Sequence, residues 1–311
     1  MTTVSATMVK ALRDRTGAGM MDCKQALVEN SGNEDAAIDW LRKKGLAKAA
    51  KKSDRIAAEG LVGVAVEGDT GAAVEVNSET DFVARNAQFQ DMARDITRLA
   101  LKAGGDLARL LAMPYPGKSL SVEEHVREMV ATIGENLGVR RTAEVSVKSG
   151  VVADYIHNRA ADGLGKMAVL VALESSGDKA KLTEFGRQVA MHIAAANPLA
   201  VTPEELDKAV IDKERAIYLE QAQASGKTQD IIAKMVEGRL RKEFFQQVVL
   251  MQQVFVLDGK ATVEQAVKAA EKTVGAPIKI TKFARYALGE GIEKKDEDFA
   301  AEVAAAVGGQ R

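Results

Sequence analysis

The chain has 311 residues, of which 46% are hydrophobic and 28% are charged, so it can bury a core and is not an intrinsically disordered polypeptide. Its 43 Lys and Arg residues are balanced by 44 Asp and Glu residues, which excludes an overall charge field as the means of attracting a partner. The single cysteine, Cys23, excludes an intrachain disulfide and argues against a cysteine-based zinc site.

The sequence contains no stretch near the ~18 consecutive apolar residues of a membrane-spanning helix. Its first residues, from Met1 to Val4, lack the basic and apolar regions of a secretory signal. We therefore expect a cytoplasmic protein. The low aromatic content of 4%, together with abundant alanine and methionine, favours mostly helical structure.

The first predicted unit is a bundle of three short helices. Ser5 is a candidate cap of the first helix and Gly17 ends it, while the second spans Met20–Glu29. Apolar residues recur at helical spacing in the third, and Gly45 follows them. Bundles of this size are typical of recognition modules, and we assign this one, with the linker behind it, to residues 1–55.

The linker segment, residues 42–55, is strongly basic. Its basic residues, which stand against one acidic residue, are Arg42, Lys43, Lys44, Lys48, Lys51, Lys52 and Arg55. Such a stripe can bind RNA phosphates, or it can be a solvated linker helix. We favour the linker because the segment lacks the stacking aromatic residues that single-strand binders usually supply.

Residues 60–77 change to the alternating pattern of a β-hairpin, with a glycine-containing turn at 68–71. A polar link then leads into a helix predicted over 83–102, and a further helix and a strand follow. We assign these elements to a first core subdomain, residues 56–142.

A second strand–turn–strand–helix unit follows, with strands predicted at 151–157 and 167–174. The two units share pattern but little identity, which suggests two tandem α+β subdomains. A last strand is predicted near 278–284 and joins the second subdomain, which we assign to residues 143–198 and 246–288.

A charged helical stretch interrupts this second subdomain and is broken once near Gly226. Leu206, Val210 and Ile217 on its first arm can face apolar residues of the second arm. We therefore predict an inserted antiparallel helical hairpin, a coiled coil, over residues 199–245. Two ordinary surface helices are the alternative.

The chain ends in an acidic helix predicted over 296–307, within a C-terminal module at residues 289–311. Together these elements predict an α+β protein with an N-terminal three-helix module, two tandem α+β subdomains, an inserted helical hairpin and a short C-terminal helix.

Residues capable of catalysis do not form a recognisable set. His125, His157 and His192 fall on separate predicted elements, and Cys23 has no histidine close in sequence to act as its base. We expect His192 and Cys23 to be structural, and His157 to be exposed at a contact surface. The sequence has neither a phosphate-binding loop nor a dinucleotide fingerprint. We therefore expect no enzymatic activity, no metal, no cofactor and no direct nucleotide binding.

The run Thr80-Asp81-Phe82-Val83 places a carboxylate beside a large ring where a strand gives way to a helix. One interpretation is helix capping, in which Asp81 accepts from backbone amides and Phe82 packs inward as a hydrophobic staple. The other is a wedge, in which Phe82 enters a partner's pocket beside a charge able to disturb a cation site. Taken alone, the residues favour capping.

The chain resembles the elongation factor Ts family in sequence blocks that run nearly end to end. The blocks are RTGAGMMDCK at 15–24, AL at 26–27, KAAKK at 48–52, EVN at 75–77, TDFVA at 80–84, IGEN at 133–136, MHIAA at 191–195, MVEGR at 235–239 and GEGIEK at 289–294. Several such blocks in the right order are specific, although any one alone would not be. The resemblance implies an N-terminal module like the ubiquitin-associated fold, two α+β subdomains and a protruding helical hairpin.

The resemblance also implies a function, namely the promotion of GDP release from elongation factor Tu without bond chemistry, so that GTP can reload. In this family pattern Phe82 wedges into the partner's G domain, and Asp81 helps displace the Mg²⁺ ion. Thr80 and Val83 shape and anchor the motif.

Further contacts are implied by the same resemblance. Met20, Met21 and Lys24 lie in the module that grips the G domain, although core packing is an equal alternative for Met21. His157 belongs to the surface that contacts another domain of the partner. The implied partner is elongation factor Tu in its GDP-bound and nucleotide-free forms. The helical hairpin is a candidate surface for a higher-order complex. An RNA- or ribosome-associated protein that uses residues 42–55 is the alternative function.

Overall fold

The computed structural model describes residues 4–224 and 226–293, and this part of the chain combines helices with antiparallel strands, which confirms the α+β class. The helices are α1 (Ala6–Thr16), α2 (Met20–Glu29), α3 (Glu34–Ala50), α4 (Ala87–Ala100), α5 (Leu107–Ala112), α6 (Val122–Ile133), α7 (Lys179–Ala196), α8 (Lys208–Gln223), α9 (Gln229–Arg239), α10 (Phe245–Val248) and α11 (Val263–Val274). The strands are β1 (Glu59–Glu67), β2 (Thr70–Ser78), β3 (Gly138–Ser146), β4 (Gly150–Ala161), β5 (Leu164–Glu174) and β6 (Lys279–Ala287). The helix predicted over 296–307 lies outside the described residues. Within them, every helix is too short or too polar to traverse a bilayer.

The strands form one antiparallel sheet made of two halves. In the first half β2 lies between β1 and β3, and in the second half β5 lies between β4 and β6. The halves join where β1 pairs with the start of β5, at Val62 opposite Gly165 and Gly63 opposite Leu164. Strand β3 runs through position 142, where we predicted a boundary, so the division into two subdomains stays a prediction.

The two halves of the sheet pack face to face around an apolar layer. Val62 and Val145 from the first half meet Val152 and Leu170 from the second. A Cβ atom on Gly71 would lie 2.7 Å from a methyl carbon of Val152, so the close approach of the halves requires glycine there. Helices α4, α5 and α6 cover the outer face of the first half, and α7 and α11 cover the outer face of the second. The body therefore has four layers.

A buried ion cluster ties the end of β6 to the first half of the sheet. The Glu75 carboxylate on β2 is fully buried and accepts from Arg141 Nε at 2.5 Å, Arg140 Nη1 at 3.1 Å and the Gly289 N–H at 2.8 Å. Burial by itself would raise the pKa of Glu75. The hydrogen bonds from Gly289, Asn77 and Arg141 outweigh burial and hold that pKa below its ordinary value.

The N-terminal module packs its three helices around Leu12, Cys23 and Leu27. Its first helix is capped by Ser5, as predicted, since the Ser5 hydroxyl accepts from the N–H of the third helical residue. The third helix does not stop at Gly45, however, but continues to Ala50. A Cβ atom on Gly45 would lie 2.9 Å from that of Ala131 on α6. This glycine therefore permits close packing of two helices and does not end one.

Helices α8 and α9 lie side by side and share a small core of their own. Of the residues predicted to face the second arm, Leu206 is buried in this core, but Val210 and Ile217 are exposed. Tyr218 is buried in this core instead, because the buried face of α8 is rotated relative to the predicted one. A π-helical segment, Leu240–Phe244, then leads into α10.

Candidate functional site

The loop between β2 and α4, residues 79–86, presents a large aromatic side chain to solvent. Phe82 is 75% exposed, whereas its neighbour Val83 is 6% exposed and packs into the core. Residues Val83–Arg85 form one turn of 3₁₀-helix, and the Arg85 N–H donates to the Phe82 carbonyl at 3.1 Å. The fold therefore anchors the loop through Val83 and leaves the ring of Phe82 uncovered.

The capping interpretation of this loop is wrong. The helix predicted from Val83 begins at Ala87, and its cap is Asn86, whose side-chain oxygen accepts from two first-turn N–H groups at 2.9 and 3.3 Å. Asp81 caps no helix and pairs with Arg85, at 3.1 Å between Oδ2 and Nη2. Phe82 does not pack inward as a staple would.

The pairing of Asp81 is weak. Both members of the Asp81–Arg85 pair are exposed to solvent, and exposed pairs contribute at most about 1 kcal/mol. The Asp81 carboxylate can therefore leave Arg85 for another cation at little cost. It stands next to the uncovered ring of Phe82, so the loop presents one apolar and one anionic group together.

Thr80 is held by a carboxylate from a distant part of the chain. Glu135, in the turn after α6, accepts from the Thr80 N–H at 2.9 Å and from the Thr80 hydroxyl at 2.6 Å. The Thr80 carbonyl in turn accepts from the Ser78 hydroxyl at 2.9 Å. In the sequence, residues 133–136 form one of the blocks that carry the family resemblance, and no pattern there assigns Glu135 to the site.

The same turn connects the loop to the N-terminal module. The Asn136 N–H donates to Glu79 at 2.5 Å, and its side-chain amide donates to the Arg55 carbonyl at 2.7 Å. The Arg55 side chain also lies 3.4 Å from Glu79, and Lys52 donates to the Gly134 carbonyl. The turn 134–136 therefore joins the linker behind α3 to the loop that carries Phe82.

The other predicted contact residues lie on separate elements. Met20, Met21 and Lys24 are exposed at the start of α2, so core packing of Met21, which is 74% exposed, is wrong. His157 is exposed on β4, which pairs only with β5 among the described strands. Its Nδ1 lies 3.1 Å from the Tyr155 hydroxyl.

His192 is a buried side chain with both ring nitrogens satisfied. Its Nδ1 accepts from the Val256 N–H at 3.2 Å, so its Nε2 carries the proton that Gln253 Oε1 accepts at 2.9 Å. Burial lowers the pKa of His192, which keeps the ring neutral. The residue therefore ties α7 to the segment that returns from the helical hairpin, which is a structural role.

A cleft of about 850 Å³ separates the N-terminal module from α6. Charged side chains line this cleft, and some of them pair with one another, Lys44 with Asp22 at 3.0 Å and Lys118 with Glu128 at 3.6 Å. The buried ring of His125 also lies 3.6 Å from Glu128. The lining carries charges of both signs, four Lys or Arg and three Asp or Glu side chains, so the cleft does not gather the charge of one sign that attracts a phosphate. In the described part of the chain, no three His, Cys, Asp or Glu residues are grouped to hold a metal ion.

The basic segment 42–55 is the second half of α3 and the turns after it. Several of its cations are engaged inside the chain. Lys44 forms an ion pair at 3.0 Å, Lys52 donates to a carbonyl of the turn after α6, and Arg55 forms an ion pair at 3.4 Å. These contacts favour the linker interpretation over a phosphate-binding stripe.

Comparison with known proteins identifies the family. The family model described as elongation factor TS matches residues 79–290. The chain is 60% identical over 309 residues to elongation factor Ts of Parvibaculum lavamentivorans. The aligned region covers 99% of this chain and 100% of that protein. It is 58% identical over 309 residues to elongation factor Ts of Rhizobium etli strain CIAT 652, and 56% identical over 307 residues to that of Rhizobium meliloti, with the same coverage.

These matches define the class as translation elongation factors that act in nucleotide exchange, and they confirm the resemblance of the sequence blocks. The chain belongs to the elongation factor Ts family.

Proposed function

We propose that this protein binds elongation factor Tu in its GDP-bound and nucleotide-free forms and accelerates GDP release, so that GTP can reload. The observation that carries the proposal is the uncovered ring of Phe82 on an otherwise anchored loop. Burying a phenylalanine side chain is worth roughly 2 kcal/mol, so this ring gains when it enters an apolar pocket of a partner. The protein itself makes and breaks no bond.

Asp81 supplies the electrostatic part of the proposed mechanism. GTPases hold GDP through phosphate-loop amides and a Mg²⁺ ion, which needs near-octahedral geometry and keeps few protein ligands. As Phe82 enters the G domain, Asp81 arrives beside the region that organises the ion. Among the residues that the structure describes, Asp81 is bound only by an exposed arginine, so it is free to compete for groups there. Displacement of the ion then weakens the hold on the phosphates.

Thermodynamic linkage makes the effects of the factor and of GDP on each other's binding equal in size. If the factor weakens GDP binding, GDP weakens binding of the factor by the same ratio. A coupling free energy of ~4 kcal/mol corresponds to roughly a 10³-fold loss of affinity. The factor therefore binds the empty GTPase most tightly and leaves when nucleotide returns.

Two further surfaces support the loop in this proposal. The exposed side chains of Met20, Met21 and Lys24 grip the same G domain, and methionines suit such a face because they adapt their shape. His157 on β4 contacts another domain of the partner.

The exposed apolar side chains of the helical hairpin, among them Ile217 and Ile231, offer a surface for a higher-order complex. This role would operate in the cytoplasm, where translation takes place.

The test is GDP release from purified elongation factor Tu loaded with a fluorescent GDP analogue. The complex is mixed with excess unlabelled GDP at increasing concentrations of this protein. We expect the release rate to rise and to saturate, and nucleotide-free elongation factor Tu to co-elute with the protein until GDP and Mg²⁺ are added. A release rate that does not change with the concentration of this protein would overturn the proposal.

A further inference from the structure

We propose that Glu135 is a positioning residue for the loop that carries Phe82, a role that rests on the proposed exchange function. One carboxylate accepts two hydrogen bonds from Thr80, from its N–H at 2.9 Å and from its hydroxyl at 2.6 Å. Hydrogen bonds to an ionised acceptor are stronger than neutral ones. Glu135 thereby fixes both the backbone and the side chain of the residue just before Asp81.

The position of these bonds in the loop explains why they matter. On the far side of the exposed pair, Val83 is buried in the core and holds the backbone. On the near side, Glu135 accepts two hydrogen bonds from Thr80, and the Ser78 hydroxyl donates one to the Thr80 carbonyl. Only Asp81 and Phe82 lie between the two anchors. Loss of the near anchor therefore frees the direction in which the ring and the carboxylate point, and a less ordered loop pays that entropy on binding.

Glu135 is itself held in place by its neighbours. Gly134 ends α6 in the left-handed conformation, with φ of 91°, and its carbonyl accepts from Lys52. Asn136 donates its N–H to Glu79 and its side-chain amide to the Arg55 carbonyl. The carboxylate is thus presented from a turn that is bonded on both sides, as a residue that orients another group must be.

The experiment compares Glu135→Ala with Glu135→Gln in the full-length protein, with GDP release measured over a range of factor concentrations. Glutamine can accept from the Thr80 N–H through its oxygen and donate to the hydroxyl through its nitrogen. We expect Glu135→Ala to lower the maximal release rate by roughly tenfold, the scale set by losing a hydrogen bond to a charged group. We expect Glu135→Gln to stay within about twofold of wild type, because it restores both bonds.

A double-mutant cycle separates positioning from a general structural effect. If Glu135 acts through Asp81 and Phe82, then Glu135→Ala should slow release no further in a protein that already carries both Asp81→Ala and Phe82→Ala. Additive losses would show that Glu135 acts elsewhere and would overturn the proposal. Thr80→Val, which removes only the hydroxyl bond, should give a smaller loss than Glu135→Ala and serves if that variant folds poorly.

The matched control is Glu124→Ala at the other end of α6. Glu124 accepts from the Ser121 N–H at 2.9 Å in a capping box, so its loss weakens the same helix without touching the loop. We expect its release rate to match wild type. A normal rate for Glu135→Ala beside a slow Phe82→Ala would reject the positioning role and leave the exchange function standing. Failure of the wild-type protein to accelerate release would instead reject the proposed function.

Discussion

Two carboxylates in the first half of the molecule, Glu75 and Asp81, lie in opposite environments. Glu75 is fully buried and accepts from two arginines, an amide side chain and a backbone N–H. Asp81, six residues along the chain, is half-exposed and pairs with a single exposed arginine. The first therefore holds parts of the fold together, and the second remains available to a partner.

The difference shows how one protein can keep a rigid fold and still present a charged group that is able to bind a partner. A buried charge needs several partners, and removal of any of them leaves an uncompensated ion. An exposed charge with one partner costs little to redirect. The chain keeps the two kinds of carboxylate on either side of one strand end, close to Ser78. The variants below should separate the two kinds of effect.

The largest expected effect is on stability, in Glu75→Ala. This change leaves Arg140 and Arg141 without their buried counter-ion, and breaking a buried ion pair from one side typically costs 3–5 kcal/mol. We expect the midpoint of urea unfolding to fall accordingly. Glu79→Ala, which removes a less buried carboxylate, should cost much less. A wild-type midpoint for Glu75→Ala would contradict the view of Glu75 as a structural tie.

Phe82→Ala should show the opposite pattern. We expect a fall in GDP release of about 30-fold, which corresponds to roughly 2 kcal/mol of lost ring burial in the complex. The unfolding midpoint should not fall, because the ring is uncovered in the free protein. Fluorescent GDP release and urea unfolding are measured on the same preparations. Val66→Ala, an exposed apolar side chain on β1, is the control and should release GDP normally. If Val66→Ala also released GDP slowly, the loss in Phe82→Ala would not be specific to the ring of Phe82.

Asp81→Asn should slow release by about tenfold, since it removes the charge but keeps the shape of the side chain. Its effect on unfolding should stay below about 1 kcal/mol, because the ion pair that Asp81 forms with Arg85 is exposed. Arg85→Ala frees Asp81 from that pair and should leave release equal to or faster than wild type. Slower release by Arg85→Ala would mean that the pair itself is needed.

The smallest expected effect is a pH dependence from Glu75. Its pKa in the folded protein lies below the ordinary value of 4.5, so its contribution to stability is complete above that value and is lost as the pH falls through the folded pKa. We expect the difference in free energy of unfolding between wild type and Glu75→Gln to shrink below pH 4.5. Urea unfolding at several pH values measures this difference. A difference that stays constant down to pH 3 would show that other groups set the acid response.

Local pattern predicted the elements whose structure is decided locally. The alternating valines gave β1 and β2 near their observed positions, and Ser5 and Gly17 marked the ends of α1. The prediction failed where a distant contact decides the outcome. A glycine predicted to follow a helix, Gly45, lies inside α3, where the lack of a side chain lets Ala131 of the distant α6 pack closely. The start of α4 is a different kind of failure, because the signal is local: the helix begins at Ala87, not Val83, and Asn86 is a good cap by residue type.

The site divides in the same way. The unusual run of Asp81 and Phe82 could be found in the sequence, but its exposure could not, because capping and presentation share the same residue types. The partner of Thr80 is 55 residues away, and no periodicity links Glu135 to it. In the sequence, Glu135 stands out only as part of the block at 133–136 that carries the family resemblance. Its contact with Thr80 is seen only in the folded chain.

The face-to-face packing of the two half-sheets bears on which molecule has to deform during exchange. The loop with Phe82 follows β2 in one half, and His157 lies on β4 in the other. Closely packed interiors compress little, so the apolar layer that both halves share fixes the spacing between these two proposed contact points. In the proposed complex, in which both points contact the GTPase, we therefore expect the GTPase to deform and this protein to keep its shape.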